Sequence, residues 1–248
     1  MADVALDIAD GVATITLDAG TNPLSHAVVD ALGHAFASIT TDVRAVVLAG
    51  NDEWFSSGAS REVVEDLVFG RRDSSELLLP RLLLDCPVPV IAAMAGHALG
   101  GGFALGIAAD LVVIARESRY GLNFLDLGFT PGMGTTRLLE HVLSPAIAQE
   151  LLWTGEARRG RDFEGRAGIN YIVSRAEVIP RARALAVRIA DKPRTALVAL
   201  KRVLGIPRRQ AFEAARAHEA IMHDHTFAQA GASRRILEAL TDDRKQES

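Results

Sequence analysis

Lysine is missing from residues 1–191 of this 248-residue chain. Lys192, Lys201 and Lys245 are the only three, and the rest of the 27 basic residues are arginine. No chemistry that needs a lysine ammonium or Schiff base can therefore be seated in the first three quarters of the sequence. Cysteine is almost missing too. Cys86 stands alone in an apolar run over 82–91, which excludes an intrachain disulfide and a cysteine-only metal cage and marks it as a packed core residue. Aromatic residues are 5% of the chain, too few for a base-stacking platform, and a net charge of −4 lacks the positive field of a phosphate-backbone binder. No nucleic-acid partner is expected. The glycine-rich stretch 96–102 has no GxGxxG fingerprint, and GK[ST] and GxSxG occur nowhere. The segment Val88–Ala115 is apolar but carries Pro89, His97, four glycines between 96 and 102, and Asp110, so it cannot be a spanning helix. The start, Met-Ala-Asp-Val, lacks the charged-then-apolar pattern of a signal peptide. A soluble, cytoplasmic protein without a membrane partner is expected.

What is present is ordinary globular material: 49% hydrophobic and 23% charged residues, in a length that suits one large domain or a core with an appendage. Val4–Ile8 and Val12–Leu17 are short, β-branched and joined at Asp10-Gly11, a hairpin signal. Strands are predicted at 45–49, 88–95 and 111–115, with helices at 25–39, 61–69, 75–84 and 103–108 between them. Such alternation favours parallel strands with helical crossovers. From Thr135 helical periodicity dominates, broken by a short strand at 169–173, and 176–240 reads as three or four amphipathic helices.

Two segments carry the chemistry. Phe55-Ser56-Ser57-Gly58-Ala59 and Gly96-His97-Ala98-Leu99-Gly100-Gly101-Gly102-Phe103 each follow a buried strand and lead into a helix. At such places backbone N–H groups are unpaired, and glycine lets a ligand come close to them. Two such sites facing one point would form an oxyanion hole, with donors about 3 Å from a developing enolate oxygen.

These two segments, with Asn22-Pro23-Leu24-Ser25, Gly128-Phe129-Thr130-Pro131-Gly132-Met133-Gly134-Thr135 and Leu152-Trp153-Thr154-Gly155, resemble the crotonase (enoyl-CoA hydratase/isomerase) superfamily over nearly the whole chain. The resemblance implies an α/β fold, a spiral of ββα units over residues 1–175 followed by a helical trimerisation region over 176–248, assembled as a homotrimer or a dimer of trimers. It implies that the N–H groups of Ala59 and Gly101 are the oxyanion donors. The hydratases of that family move protons with two glutamates. Here Ala104 and Phe124 stand at those positions. Adding or removing water needs an acid and a base at the reacting carbons, and neither residue can serve.

The run from Arg116 to Gly134, together with Met222-His223 and Thr226-Phe227, resembles the decarboxylases of polyketide β-branching cassettes within that family. This implies decarboxylation of a 3-methylglutaconyl group to 3-methylcrotonyl, both carried on the phosphopantetheine of an acyl carrier protein, with no separate cofactor and no metal. Ala104 and Phe124 would then make an apolar substrate pocket. His223 becomes a candidate for positioning the carboxylate or returning a proton, against the plainer reading of a surface histidine on an amphipathic helix. His97 either lines the pocket or makes structural hydrogen bonds. The branch tends to place a lysine in the loop that here reads Phe69-Gly70-Arg71-Arg72-Asp73-Ser74. Arg71 or Arg72 could hold a substrate carboxylate, dock the acidic carrier protein, or simply be solvated. Arg158, Arg159, Arg161, Arg208 and Arg209 are further docking or solvated candidates. The competing readings are a dehydratase of 3-hydroxy-3-methylglutaryl-carrier protein, and a non-catalytic carrier-binding homologue.

Overall fold

A computed structural model describes residues 4–72 and 78–246, with side chains described up to 240. The predicted hairpin is present. β1 (Val4–Ala9) and β2 (Val12–Leu17) pair antiparallel across Asp10 and Gly11, both at positive φ (54° and 77°), as a tight two-residue hairpin turn requires. Next to β2 follow β4 (Ala45–Ala49), β7 (Val90–Met94), β9 (Leu111–Ala115) and β12 (Tyr171–Val173), all parallel, in a six-stranded sheet of order β1-β2-β4-β7-β9-β12. The central strands are buried on both faces, which is why they read as continuous apolar runs.

On one face Val46, Leu48, Ala92, Met94, Val112 and Ile114 pack in the cluster that also holds residues of α1 (His26–Ala37) and α4 (Gly101–Ile107). On the other face Ala45, Val47, Ala93 and Val113 meet α7 (Arg175–Ala190), which offers Val178, Ala182, Ala186 and Ala190, four residues apart on one stripe. The helical region beginning at 176 is thus not detached from the core: its first helix covers one face of the main sheet.

A second, smaller sheet positions the site. Its order is β11 (Arg158–Arg159), β10 (Arg119–Gly121), β8 (His97–Leu99) and β5 (Trp54–Ser56); a two-residue ladder joins β3 (Pro23–Leu24) to β6 (Gly58–Ala59). β10 falls outside the strands predicted from the sequence. α2 (Arg61–Val68) follows β6. The helix expected at 75–84 is seen as α3 (Leu79–Asp85), and residues 73–77 lie outside the described residues.

The C-terminal helices are α8 (Arg194–Leu204), α9 (Ile206–Phe227) and α10 (Ala232–Gln246). They are tied to the core by cations at carbonyls. Lys201 Nζ donates to Leu83 O (2.8 Å) and to Asp110 Oδ2 (2.5 Å), Arg208 to Ile107 O (3.0 Å) and Arg209 to Leu84 O (3.3 Å). Arg208 and Arg209 are therefore internal ties rather than docking or solvated groups. Arg158 is held by Glu150 at 2.6 Å. Among the described residues no helix is long and apolar enough to cross a membrane.

Candidate active site

The loop Asn22–Ser25 is fixed by its first residue. Asn22 is fully buried at φ 51°. Its Nδ2 donates to Leu17 O (3.1 Å) and Trp54 O (2.8 Å), while Oδ1 accepts from Ala19 N (2.6 Å). Asparagine tolerates this left-handed backbone better than most residues. Ser56, also buried, donates to Asn22 O (2.7 Å) and accepts from Gly58 N (3.1 Å). Within the β3–β6 ladder, Ser60 N donates to Leu24 O (3.4 Å). Successive residues of a strand turn their N–H groups to opposite sides, so the amide of Ala59 faces away from β3.

It faces the glycine turn. Gly100 sits at φ 49° and ψ −121°, a backbone that only glycine adopts readily. Gly102 abuts Ser56, where a Cβ would stand 2.4 Å from the Ser56 carbonyl oxygen. Gly101 is the first residue of α4. The helix ladder begins only with Ala104 N donating to Gly100 O (3.0 Å), so the Gly101 amide has no helical acceptor. A Cβ built on Gly101 would lie 3.7 Å from Ala59 N, and one on Gly58 3.2 Å from Gly101 N. The two amides thus border one small space, an arrangement suited to a developing oxyanion.

That space opens into a cavity of about 490 Å³. Phe124, Leu127, Phe129 and Met133 form part of its wall, and α2 contributes Val63, Val64 and Leu67. Met133 is held at φ 59°, uncommon for a non-glycine residue, and such strain concentrates at functional sites. Only two titratable side chains line the cavity among the described residues, Arg61 and His223, and neither is a carboxylic acid.

His223 is 3% exposed, on α9. Its ring stacks on Phe227 (centroids 5.3 Å apart, 5° between planes) and Nε2 lies 2.8 Å from Thr130 O. A carbonyl only accepts, so Nε2 carries the proton. Nδ1 is buried without a partner. Burial pulls the imidazole below its ordinary pKa, against the smaller opposing effects of the Thr130 carbonyl and Asp224. The surface-histidine reading is corrected on this point, since the polar pattern of α9 hid a buried stripe formed by Phe212, Ala215, Glu219 and His223.

Glu219 was not singled out in the sequence. Its carboxylate accepts from Gly134 N (2.7 Å), Thr136 N (3.0 Å) and Thr136 Oγ1 (2.8 Å), and burial raises its pKa despite those bonds. It fastens the Thr130–Gly134 turn to the helix that bears His223. Its place four residues before His223, on the same helix face, was the available signal.

The other candidates are placed as follows. Phe124 lines the cavity; Ala104 is fully buried and does not. His97 lies outside the lining. Its Nδ1 accepts from Arg119 N (2.8 Å), its ring packs on Trp54 at 5.2 Å, and burial lowers its pKa, so the structural alternative describes it. Arg71 is exposed, paired with Asp66 at 2.6 Å and laid over Phe69, and Arg72 is exposed; neither reaches the lining. Asp66 in turn binds His26 Nε2 at 2.8 Å, and both partners lower its pKa. Among the described residues the guanidinium in the cavity lining is that of Arg61, which the sequence reading passed over.

With this geometry in place, comparison with known proteins is direct. The model of the enoyl-CoA hydratase/isomerase family matches residues 7–245. The chain belongs to that family. Among curated relatives, it is 41% identical over 208 residues to the bacillaene synthase decarboxylase PksI of Bacillus subtilis, covering 83% of this chain and 84% of that one. It is 32% identical over 181 residues to a carnitinyl-CoA dehydratase of Salmonella typhimurium, covering 70% and 68%. Among solved structures, the ECH2 decarboxylase domain of CurF from Lyngbya majuscula superposes with a TM-score of 0.88 at 39% identity, covering 96% of this chain and 99% of that one. A member of a dehydratase/decarboxylase couple involved in polyketide beta-branching gives 0.89 at 38%, covering 94% of each chain. The fold is therefore that of the crotonase family, and two relatives of about 40% identity, PksI and the CurF domain, are decarboxylases.

Proposed function

We propose that this protein is a lyase that decarboxylates 3-methylglutaconyl-acyl carrier protein, or a close β-branched analogue, to 3-methylcrotonyl-acyl carrier protein in polyketide β-branching. The observation that carries this reading is the pairing of two converging amides, Ala59 and Gly101, with a cavity whose described lining holds no carboxylate. Such a site can stabilise an oxyanion yet has no acid–base pair for moving water. That separates it from a dehydratase, although a dehydratase is among the relatives.

The chemistry follows from the substrate. Breaking the bond to the carboxylate releases carbon dioxide and sends its electron pair through the double bond to the thioester oxygen. The Ala59 and Gly101 amides bear the resulting dienolate charge. Phe124, Phe129 and Met133 keep the surroundings apolar, which favours the charge-dispersed transition state over the compact carboxylate. His223 meets the substrate through Nδ1. Resting neutral, it gains a proton only when an anion arrives beside it, because a nearby negative charge favours the imidazolium. Nδ1–H then donates to the carboxylate, and after carbon dioxide leaves, the same proton passes to the terminal carbon of the dienolate. The acyl group rides on the phosphopantetheine of a carrier protein and no other cofactor takes part. The enzyme works in the cytoplasm as a homotrimer or dimer of trimers. The exposed apolar residues Leu200, Val203, Leu204, Ile206 and Ile221 on α8 and α9 support an assembly face.

The test is a mass measurement on carrier-bound substrates. The 3-methylglutaconyl form should lose one carbon dioxide. Loss of water from the 3-hydroxy-3-methylglutaryl form would establish the dehydratase instead. Carrier binding without turnover of either would leave a non-catalytic homologue.

A further inference from the structure

The lysine that the sequence lacks left open which cation meets the substrate carboxylate. We infer that Arg61, at the first turn of α2, holds the carboxylate of the acyl group while the thioester oxygen rests on the Ala59 and Gly101 amides. This rests on the decarboxylase reading and gives it a carboxylate-binding residue.

Arg61 lines the same cavity as both amides and as His223, whereas Arg71 and Arg72 do not. It lies two residues beyond Ala59, so their Cα atoms are at most about 7 Å apart. In a glutaconyl thioester the carboxyl carbon is four bonds from the thioester carbon, about 5 Å away at ordinary bond lengths. A guanidinium on its flexible stem spans that gap without any movement of backbone. The position is well supported. Ser60 caps α2 by accepting from Val63 N (3.4 Å), and the buried side chains of Val63, Val64, Leu67 and Val68 anchor the helix. Arg61 Nε donates to Glu65 Oε1 at 2.7 Å, which aims the side chain. A guanidinium presents its N–H donors in a planar fork, the geometry that matches a carboxylate. Its side chain is 42% exposed, so it stands at the mouth while His223 stands buried inside. The acyl carboxylate would rest between the two, with the guanidinium on its solvent side and the imidazole on its buried side.

The same cation could instead meet the phosphate of the pantetheine arm, and the ligands must separate the two anions. Binding is measured for glutaryl-pantetheine and butyryl-pantetheine thioesters, neither of which can react, and for butyryl-phosphopantetheine. In wild-type protein the glutaryl form should bind at least tenfold tighter than the butyryl form. Arg61→Gln should abolish that difference and leave butyryl binding unchanged; Arg61→Lys should restore part of it. Glu65→Gln removes the charge pair but keeps an oxygen that accepts from Arg61 Nε, so it should retain the preference, and its loss there would overturn the assignment to Arg61. Equal preference in wild type and Arg61→Gln overturns the assignment. So does a loss confined to the phosphorylated ligand. Turnover of 3-methylglutaconyl-carrier protein by the same preparations separates the two layers. Turnover with intact preference in Arg61→Gln removes only the role of Arg61. Absent turnover in wild type with an Arg61-dependent preference removes only the decarboxylase reading.

Discussion

Replacing Gly101 by alanine puts one methyl group into the space where the oxyanion would form. Gly101 has no left-handed backbone to strain, and as a helical residue it gains up to about 1 kcal/mol in intrinsic propensity when it becomes alanine. Against this, the new Cβ would meet Met133 Sδ at 3.0 Å and Leu24 Cδ1 at 3.3 Å, both far ends of flexible side chains. These terms nearly cancel, so stability should change by no more than about 1 kcal/mol, a melting shift of about 2–4 °C for a chain of this size. The functional cost is of another order. The methyl would sit 3.7 Å from Ala59 N and exclude an oxygen from both amides at once. One oxyanion donor is worth about 10²–10³ in rate, so loss of access to both should cost at least about 10³. The assay follows carbon dioxide loss from the carrier-bound substrate by mass, with a thermal melt on the same sample. A folded Gly101→Ala protein that keeps more than about a tenth of wild-type turnover would refute the placement of the oxyanion between these amides.

Three other expectations follow. Burial holds His223 below its ordinary value of 6.5, so in the window just under 6.5 the unfolded chain binds more protons and stability rises with pH. His223→Phe should flatten that rise in urea unfolding at pH 5.5 and 7.5, and an undiminished slope would contradict it. Lys201→Met leaves Asp110, a quarter exposed, with Val90 N and a more distant Arg208, and should cost about 2–3 kcal/mol in the same assay. Finally, Leu204→Asp should lower the mass seen by light scattering if α8 lies at a subunit interface, and an unchanged mass would place the interface elsewhere.

Much of this was legible in the chain. The hairpin, the buried parallel strands and the oxyanion segments each announce themselves through local rules: two positive-φ residues between β-branched runs, unbroken apolar stretches, glycine after a strand. The smaller sheet and the β3–β6 ladder did not, because β6 and β11 are two residues long and exist only through their partners. His223 was found by resemblance, whereas its burial was hidden because α9 is polar on average and exposes Ile221 while burying Glu219. The arginines were misjudged for a related reason. A charged residue reads as solvated from sequence, yet Arg208 and Arg209 are drawn inward by the carbonyls of Ile107 and Leu84. Arg61 was overlooked because cavity membership depends on how α2 lies against α10, a contact that no local pattern records.

The uneven supply of amines has a practical consequence. Among the described residues no lysine lines the cavity, and Lys201 is sealed inside the protein. Amine-directed labels and cross-linkers therefore find no described lysine in the cavity wall to report on. A dicarbonyl reagent selective for guanidinium groups would meet Arg61 there. Covalent mapping of that entrance, and footprinting of whatever covers it, belongs to arginine chemistry.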